Sequence, residues 1–270
     1  MNRQESTATD SWIETPRGRL FARRWQPHDH DTRPGTEPPI VLFHESLGCV
    51  SLWRSFPAAL AQAAGRDVIA YDRRGFGRSD RREDTLGTDF IREEAQMFFP
   101  RLREQLGIRR FIVFGHSVGG AMAAHCAAMY APDCEALVTE SAQAFVEDRT
   151  RAGIREAEAA FAQPSQFRRL ERYHGAKTRW VLDAWIQTWL SPAFADWSLQ
   201  AVLPQVRCPT LVLHGSDDEY GSTRHPETIA RLVNGPSQLL VMPGAKHSPH
   251  LENPVQIADY VADFIAKRHR

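Results

Sequence analysis

With 270 residues, the chain suits one large domain, or a domain with an insertion, that buries about 75% of its unfolded surface. Its 33 lysines and arginines balance 33 aspartates and glutamates, so no net field steers nucleic acid or an acidic partner towards it. No run of about 18 apolar residues argues for a membrane span, and residues 1–10 lack the apolar segment of a signal peptide.

In chain order, residues 11–15 and 20–25 read as two strands around a Pro16-Arg17-Gly18-Arg19 turn. Residues 28–39 form a loop rich in proline and charge. Its His28-Asp29-His30-Asp31 has metal-ligand chemistry, although a solvated surface loop is the favoured reading. A buried strand at 40–43, a helix at 52–64 and a strand at 68–71 follow. Phe90, Ile91, Ala95, Phe98, Leu102 and Leu106 recur at helical spacing, with Pro100 kinking or dividing that helix. Residues 110–114 are a β-branched and aromatic run, the pattern of a fully buried strand. From Val118 the chain is alanine-rich and free of proline until Pro132, as suits a buried helix. Further strands are expected at 136–139, 210–214 and 239–242, with a helix near 225–233. Val255, Ile257, Val261, Phe264 and Ile265 mark the inward face of a closing helix. Cys49, Cys126, Cys134 and Cys208 show no C-x-x-C spacing and read as reduced, mostly buried thiols of a cytoplasmic protein.

Strands that alternate with helices, most of them short and wholly apolar, imply an α/β fold with a mostly parallel, doubly wound sheet. The alternation breaks at residues 141–204, where no strand is evident and helical pieces stand out at 151–162 and 180–190. The expected organisation is a core of residues 1–140 and 205–270 with a helical cap, 141–204, inserted over the carboxyl ends of the strands. The cap holds four of the 7 tryptophans, Trp180, Trp185, Trp189 and Trp197. Trp185 and Trp189 are candidates for substrate contact, while two or three of the four are expected only to glue the cap to the core, since large aromatics carry much packing area.

Between the strand at 110–114 and the helix from Val118 lies Gly115-His116-Ser117-Val118-Gly119, a G-x-S-x-G turn. So sharp a strand-to-helix turn strains the serine backbone and lifts its hydroxyl above the sheet, with glycines where side chains would collide. The helix start adds free N–H groups and a positive dipole end for a developing anion. Ser117 is therefore the candidate nucleophile. A serine nucleophile needs a base, and the base an orienting carboxylate. Among 11 histidines, His247 lies in the loop after the last strand, at the sheet edge where the serine emerges. His250 completes an H-x-x-H, but the intervening proline and the lack of a third ligand speak against a metal. His44, His116, His125 and His214 read as core or supporting residues. For the carboxylate, Asp218 in Gly215-Ser216-Asp217-Asp218 leads, Glu140 after the strand at 136–139 comes second, and Asp217 third.

These segments together resemble the α/β-hydrolase superfamily over roughly residues 40–270, the cap excepted. His44-Glu45-Ser46-Leu47-Gly48 is similar to its H-G-x-x-G oxyanion loop, and residues 72–79 to its D-x-x-G-x-G-x-S turn. Residues 215–218 are similar to its G-x-x-D acid motif, and residues 247–254 to its histidine loop. Gly75-Phe76-Gly77 is no dinucleotide fingerprint, because Asp80 occupies the third glycine position.

The resemblance implies a triad of Ser117, Asp218 and His247, an oxyanion hole made by the backbone N–H groups of Ser46 and Val118, and no cofactor or metal. Glu45 departs from the usual glycine, and its carboxylate is expected to turn away from the oxyanion. Glu219-Tyr220-Gly221 departs after the acid, either reaching towards the cap or drifting as an ordinary loop. The implied activity is a serine hydrolase acting on a small ester, thioester or lactone, with a small acyl compound as its partner, no nucleic acid or membrane, and the oligomeric state open. Perhydrolase, acyltransferase, hydroxynitrile-lyase and carbon–carbon bond hydrolase chemistry use the same triad. Ser248, where carbon–carbon hydrolases often carry tryptophan, disfavours the last. A ligand receptor that keeps the fold is the rival from another class.

Overall fold

The structure, a computed structural model, describes residues 7–28 and 37–267. In chain order the strands are β1 (Ala8–Ile13), β2 (Leu20–Trp25), β3 (Ile40–Phe43), β4 (Val68–Tyr71), β5 (Phe111–His116), β6 (Cys134–Glu140), β7 (Thr210–Gly215) and β8 (Ser237–Met242). They form one 8-stranded sheet in the order β1-β2-β4-β3-β5-β6-β7-β8. β2 pairs antiparallel with β1 and β4, and all other neighbours are parallel.

Every residue of β3, β4, β5 and β7 is buried, as a parallel sheet covered on both faces requires. Successive side chains of these strands feed opposite faces. Val41, Phe43, Val113 and Leu137 join a core shared with helix Val118–Met129. Ile40, Leu42, Ile112 and Phe114 join a second core under helices Phe56–Ala64 and Pro254–Lys267. The chain runs from β3 outward to β4 and then returns to β5 on the other side of β3. The carboxyl ends of β3 and β5 therefore flank the point where the winding reverses, the place where such sheets bind ligands.

Several boundaries differ from expectation. β1 spans Ala8–Ile13 rather than 11–15, and Ile13 is its only buried residue. The strand exists through its ladder to β2, and so polar an edge shows no apolar alternation. The expected helix at 52–64 is a 3-10 turn, Val50–Trp53, followed by helix Phe56–Ala64 with proline in its first turn. Near Pro100 the helix is divided: Phe90–Glu93 passes through a π turn, Glu94–Phe98, into Phe99–Gln105. Pro100 sits in the first turn of the last piece, where its missing N–H costs nothing.

Residues 141–204 contain helices Asp148–Phe161, Pro164–His174 and Thr178–Leu190. The middle one is strongly charged and turns Leu170 and His174 inward. All four cysteines are buried thiols outside any disulfide. Among the described residues, no helix is long and apolar enough to cross a membrane.

Candidate active site

Ser117 ends β5 with φ 55° and ψ −126°, a conformation that L-residues avoid and that persists only when surroundings impose it. Here its N–H donates to the Glu140 carbonyl at 2.9 Å and its carbonyl accepts from Gly120 N–H at 2.9 Å. Ser141, beside it at the end of β6, is also at positive φ, 49°. Helix Val118–Met129 opens immediately after the serine, so the Val118 N–H has no acceptor within the helix. The Ser117 hydroxyl donates to Gln143 Oε1 at 3.2 Å; it forms no hydrogen bond to His247 in this structure.

His247 and Asp218 are brought together. The His247 Nδ1–H donates to both Asp218 oxygens, each at 2.9 Å. Asp218 is fully buried and its Oδ1 also accepts from the N–H groups of Tyr220 (2.7 Å) and Gly221 (3.1 Å). Burial alone would raise its pKa. The His247 hydrogen bond and charge and the Tyr220 N–H outweigh that, and the carboxyl lies below its ordinary value. Asp217 is exposed and accepts from the neighbouring Ser216 hydroxyl. Glu140, fully buried, serves a different histidine: it accepts from the His250 N–H at 2.9 Å and from the His250 Nδ1–H. Of the three carboxylates weighed from sequence, Asp218 alone contacts the His247 ring.

The loop after β3 is held from several sides. The Glu45 carbonyl accepts from Gly48 N–H (3.1 Å), His44 Nδ1–H (2.8 Å) and an Arg73 guanidinium N–H (2.9 Å). His44 Nε2 accepts from Arg73 N–H, which fixes the tautomer. Burial, with the Arg73 charge, keeps this imidazole neutral, its pKa well below the ordinary value. His174, from the inserted segment, donates from Nε2 to the Leu47 carbonyl at 2.9 Å and accepts Gly77 N–H at Nδ1. The Ser46 peptide therefore sits in a rigid turn on the wall of the same cleft as Ser117.

The Glu45 side chain lines the cleft, and its Oε2 lies 3.7 Å from His116 Nδ1. It is folded against Gly48, so it is turned under the loop and not wholly out of the cleft. Burial would raise Glu45, but His116 brings it down to about 2, whereas the carboxylates Glu45 and Glu140 overcome burial to bring His116 up to about 9. A raised histidine contributes stability in full below its ordinary 6.5 and loses it as pH climbs through about 9. A lowered glutamate contributes above its ordinary 4.5 and loses it as pH falls through about 2. Glu45→Gln should thus lower the melting temperature most between about pH 5 and 6.5, and the gap to wild type should narrow steadily towards pH 9. A gap that widens with rising pH in parallel thermal melts would refute this pairing.

The cleft, about 520 Å³ with its open mouth, is lined by Ser117, His247, Gln143, Trp185, Trp189 and Tyr220. Trp180 packs on Gly75 and Phe76 and so ties residues 141–204 to the rest of the chain. Trp197 and Trp189 pack with Phe194 inside that segment, and Phe194 in turn meets Phe90. The loop at 219–221 does reach residues 141–204: Thr150 donates to the Tyr220 carbonyl at 2.7 Å, and the Tyr220 ring meets His247 edge-on at 4.8 Å. Gln143 was not singled out from sequence. Its place in the turn after β6, next to a serine elbow on β5, is the signal that points to it.

Residues 29–31 of the histidine–aspartate loop lie outside the described residues. His247 and His250 face different carboxylates. His250 instead lies with His116 and Glu140, their donor atoms all within 4.8 Å. Direct hydrogen bonding already engages Glu140 with His250.

Comparison with known proteins agrees with this architecture. Residues 38–179 match the family described as alpha/beta hydrolase fold. The human serine hydrolase BPHL is 30% identical over 208 residues, covering 73% of this chain and 69% of that protein. The mouse sn-1-specific diacylglycerol lipase ABHD11 is 26% identical over 264 residues, covering 86% and 82%. The crystal structure of proline iminopeptidase from Mycobacterium smegmatis superposes with a TM-score of 0.70 at 23% identity, covering 96% of this chain and 98% of that one. The chain belongs to the α/β-hydrolase family.

Proposed function

We propose that the protein is a cofactor-free serine hydrolase that cleaves a small ester, thioester or lactone through an acyl-enzyme on Ser117. One observation carries this reading: a fully buried Asp218 holds His247 through Nδ1 at the rim of the cleft into which the strained Ser117 projects. Rotation about the Ser117 side chain exchanges Gln143 for His247 Nε2, a hydrogen bond of the kind that tightens when substrate binds. His247 then takes the hydroxyl proton as Oγ bonds to the carbonyl carbon, and the Ser46 and Val118 amides receive the negative oxygen. The leaving group departs with that proton. Water, deprotonated by His247, attacks the ester and frees Ser117. The serine hydrolase and lipase names of the two relatives support the class of chemistry. Four buried cysteines without a disulfide suit the reducing cytoplasm, where we place the protein.

A fluorophosphonate probe should label wild type covalently and leave Ser117→Ala unmarked. Equal labelling of the two would end the assignment.

In this reading residues 141–204 are a cap that selects substrate. Trp185 is half-buried, lines the cleft and meets the Tyr220 ring edge-on, 6.0 Å between ring centres. Trp185→Ala should change the ratio of kcat/KM between short and long acyl esters by roughly 10-fold or more, the lower end of what one methylene is worth in an apolar pocket. Phosphonate labelling should persist. An unchanged chain-length profile would remove Trp185 from the substrate site.

A further inference from the structure

We infer that Glu140, His250 and His116 form a brace beneath the triad that positions the histidine loop, and with it His247, against Ser117. The inference rests on the serine hydrolase reading and adds residues which that chemistry does not itself use. His116 and Glu140 are register partners at the carboxyl ends of adjacent parallel strands, β5 and β6. His116 Nε2 lies 2.8 Å from the His247 carbonyl. A carbonyl can only accept, so Nε2 carries a proton and donates it. Glu140 grips the other end of the same short loop, accepting from both the N–H and the Nδ1–H of His250. The loop is thus pinned at its first residue by β5 and at its fourth by β6.

The same rung holds the nucleophile. Glu140 accepts the Ser117 N–H at its carbonyl while its carboxylate holds His250. One residue therefore sets the backbone of the serine and the loop of its base in a common frame. The space around it leaves little freedom. Glu140 is fully buried and His116 and His250 nearly so. The His116 ring centre lies 5.0 Å from that of His247, tilted, and 4.8 Å from that of His250, edge-on, and Trp53 closes on His250 at 4.8 Å. His116 Nδ1, which makes no hydrogen bond, faces Glu45 Oε2 at 3.7 Å. With Nε2 already protonated, a proton must also lie between Nδ1 and that carboxylate, or two lone pairs would face each other. The ion pair keeps the His116 ring oriented for its bond to His247.

Three variants test the brace: His250→Leu, His250→Asn and Glu140→Gln. Asparagine places an amide nitrogen near the position of Nδ1 and can still donate to Glu140. His250→Leu should lower kcat roughly 10- to 100-fold, the cost of displacing a catalytic group by an ångström or less, with KM within about twofold of wild type. Phosphonylation of Ser117 should slow by the same factor yet reach completion. His250→Asn should recover most of the loss, and Glu140→Gln, which keeps an acceptor for the His250 N–H, should fall between. Amide hydrogen exchange of residues 247–250 should speed up in His250→Leu, a readout that needs no activity. Should His250→Leu fail to fold, His250→Asn against wild type and Glu140→Gln still decides.

Variants that lose only melting temperature, with kcat, labelling rate and loop exchange unchanged, would make the cluster purely structural. His250→Asn as slow as His250→Leu would overturn the donor role. One equivalent of zinc found in purified wild type and missing from Glu140→Gln would make the three side chains a metal site and overturn the brace. A wild type that the probe does not label, with loop exchange still accelerated in His250→Leu, would refute the hydrolase reading and leave the brace standing.

Discussion

Asp218→Asn is expected to lower kcat by about 10⁴, the loss seen when a protease triad aspartate becomes its amide, while the fold persists. The reason is local. Asp218 Oδ1 already accepts from Tyr220 N–H and Gly221 N–H, so the amide must keep its oxygen at that position. Its NH₂ then replaces Oδ2, 2.9 Å from His247 Nδ1 and near the 3.7 Å contact with His214. Two donors cannot face each other there. The remaining oxygen also lies 2.9 Å from Nδ1 but is already shared by two N–H groups and carries no charge, so the imidazole is expected to carry its proton on Nε2, and the base is lost. Asp217→Asn, at an exposed side chain bonded to Ser216, should leave kcat within a few-fold. Glu140→Gln should cost no more than the roughly 100-fold limit of a mispositioned base. Steady-state kinetics on an activated ester, with circular dichroism to verify folding, ranks the three. If Glu140→Gln proves the cripple and Asp218→Asn runs near normally, the acid has been misassigned.

That ranking also shows where sequence ends and structure begins. Ser117 and His247 were legible because each is tied to a local pattern: a glycine-bounded strand-to-helix turn, and a histidine in the loop after the final strand. The fold was legible for a similar reason, since buried parallel strands are short apolar runs. The choice between Asp218 and Glu140 was harder. Both are fully buried and both end up holding a histidine. Spacing of residues within a motif cannot say which carboxylate meets which of two imidazoles three positions apart, because the answer depends on how a short loop crosses the ends of β5, β6 and β7. Glu45 is a comparable case. Its departure from glycine was visible, but its partner His116 lies on a different strand and comes close only through the β3–β5 pairing. Edge strand β1 was misplaced because its stability comes from ladder hydrogen bonds, not burial. Gln143 was missed because a lone polar residue in a turn has no periodic signature.

Gly119→Ala should damage both fold and rate, and for one reason. A methyl group at this position would lie 2.1 Å from the Phe43 carbonyl oxygen, 2.6 Å from its carbon and 2.8 Å from the His44 oxygen. These are backbone atoms at the end of β3, so no side chain can swing aside. Either helix Val118–Met129 withdraws or the end of β3 is pushed outward. The first motion carries away the Val118 N–H. The second carries away residues 44–48 and the Ser46 N–H. Both separate the two donors proposed for the oxyanion. Overpacking of this kind costs about 1–3 kcal/mol or somewhat more, readable as a lower urea midpoint at unchanged slope. Losing one oxyanion donor costs about 10²–10³ in kcat, and KM should move far less, because the donors act on charge that develops only in the transition state. Gly107→Ala is the control. Gly107 has a positive φ of 66° but nothing within 4 Å of an added methyl, so alanine there strains the backbone without collision and should lower stability while leaving kcat intact. If Gly119→Ala folds and turns over at the wild-type rate, then the β3 loop and the helix start do not form the oxyanion hole, and the Ser46 and Val118 assignment falls.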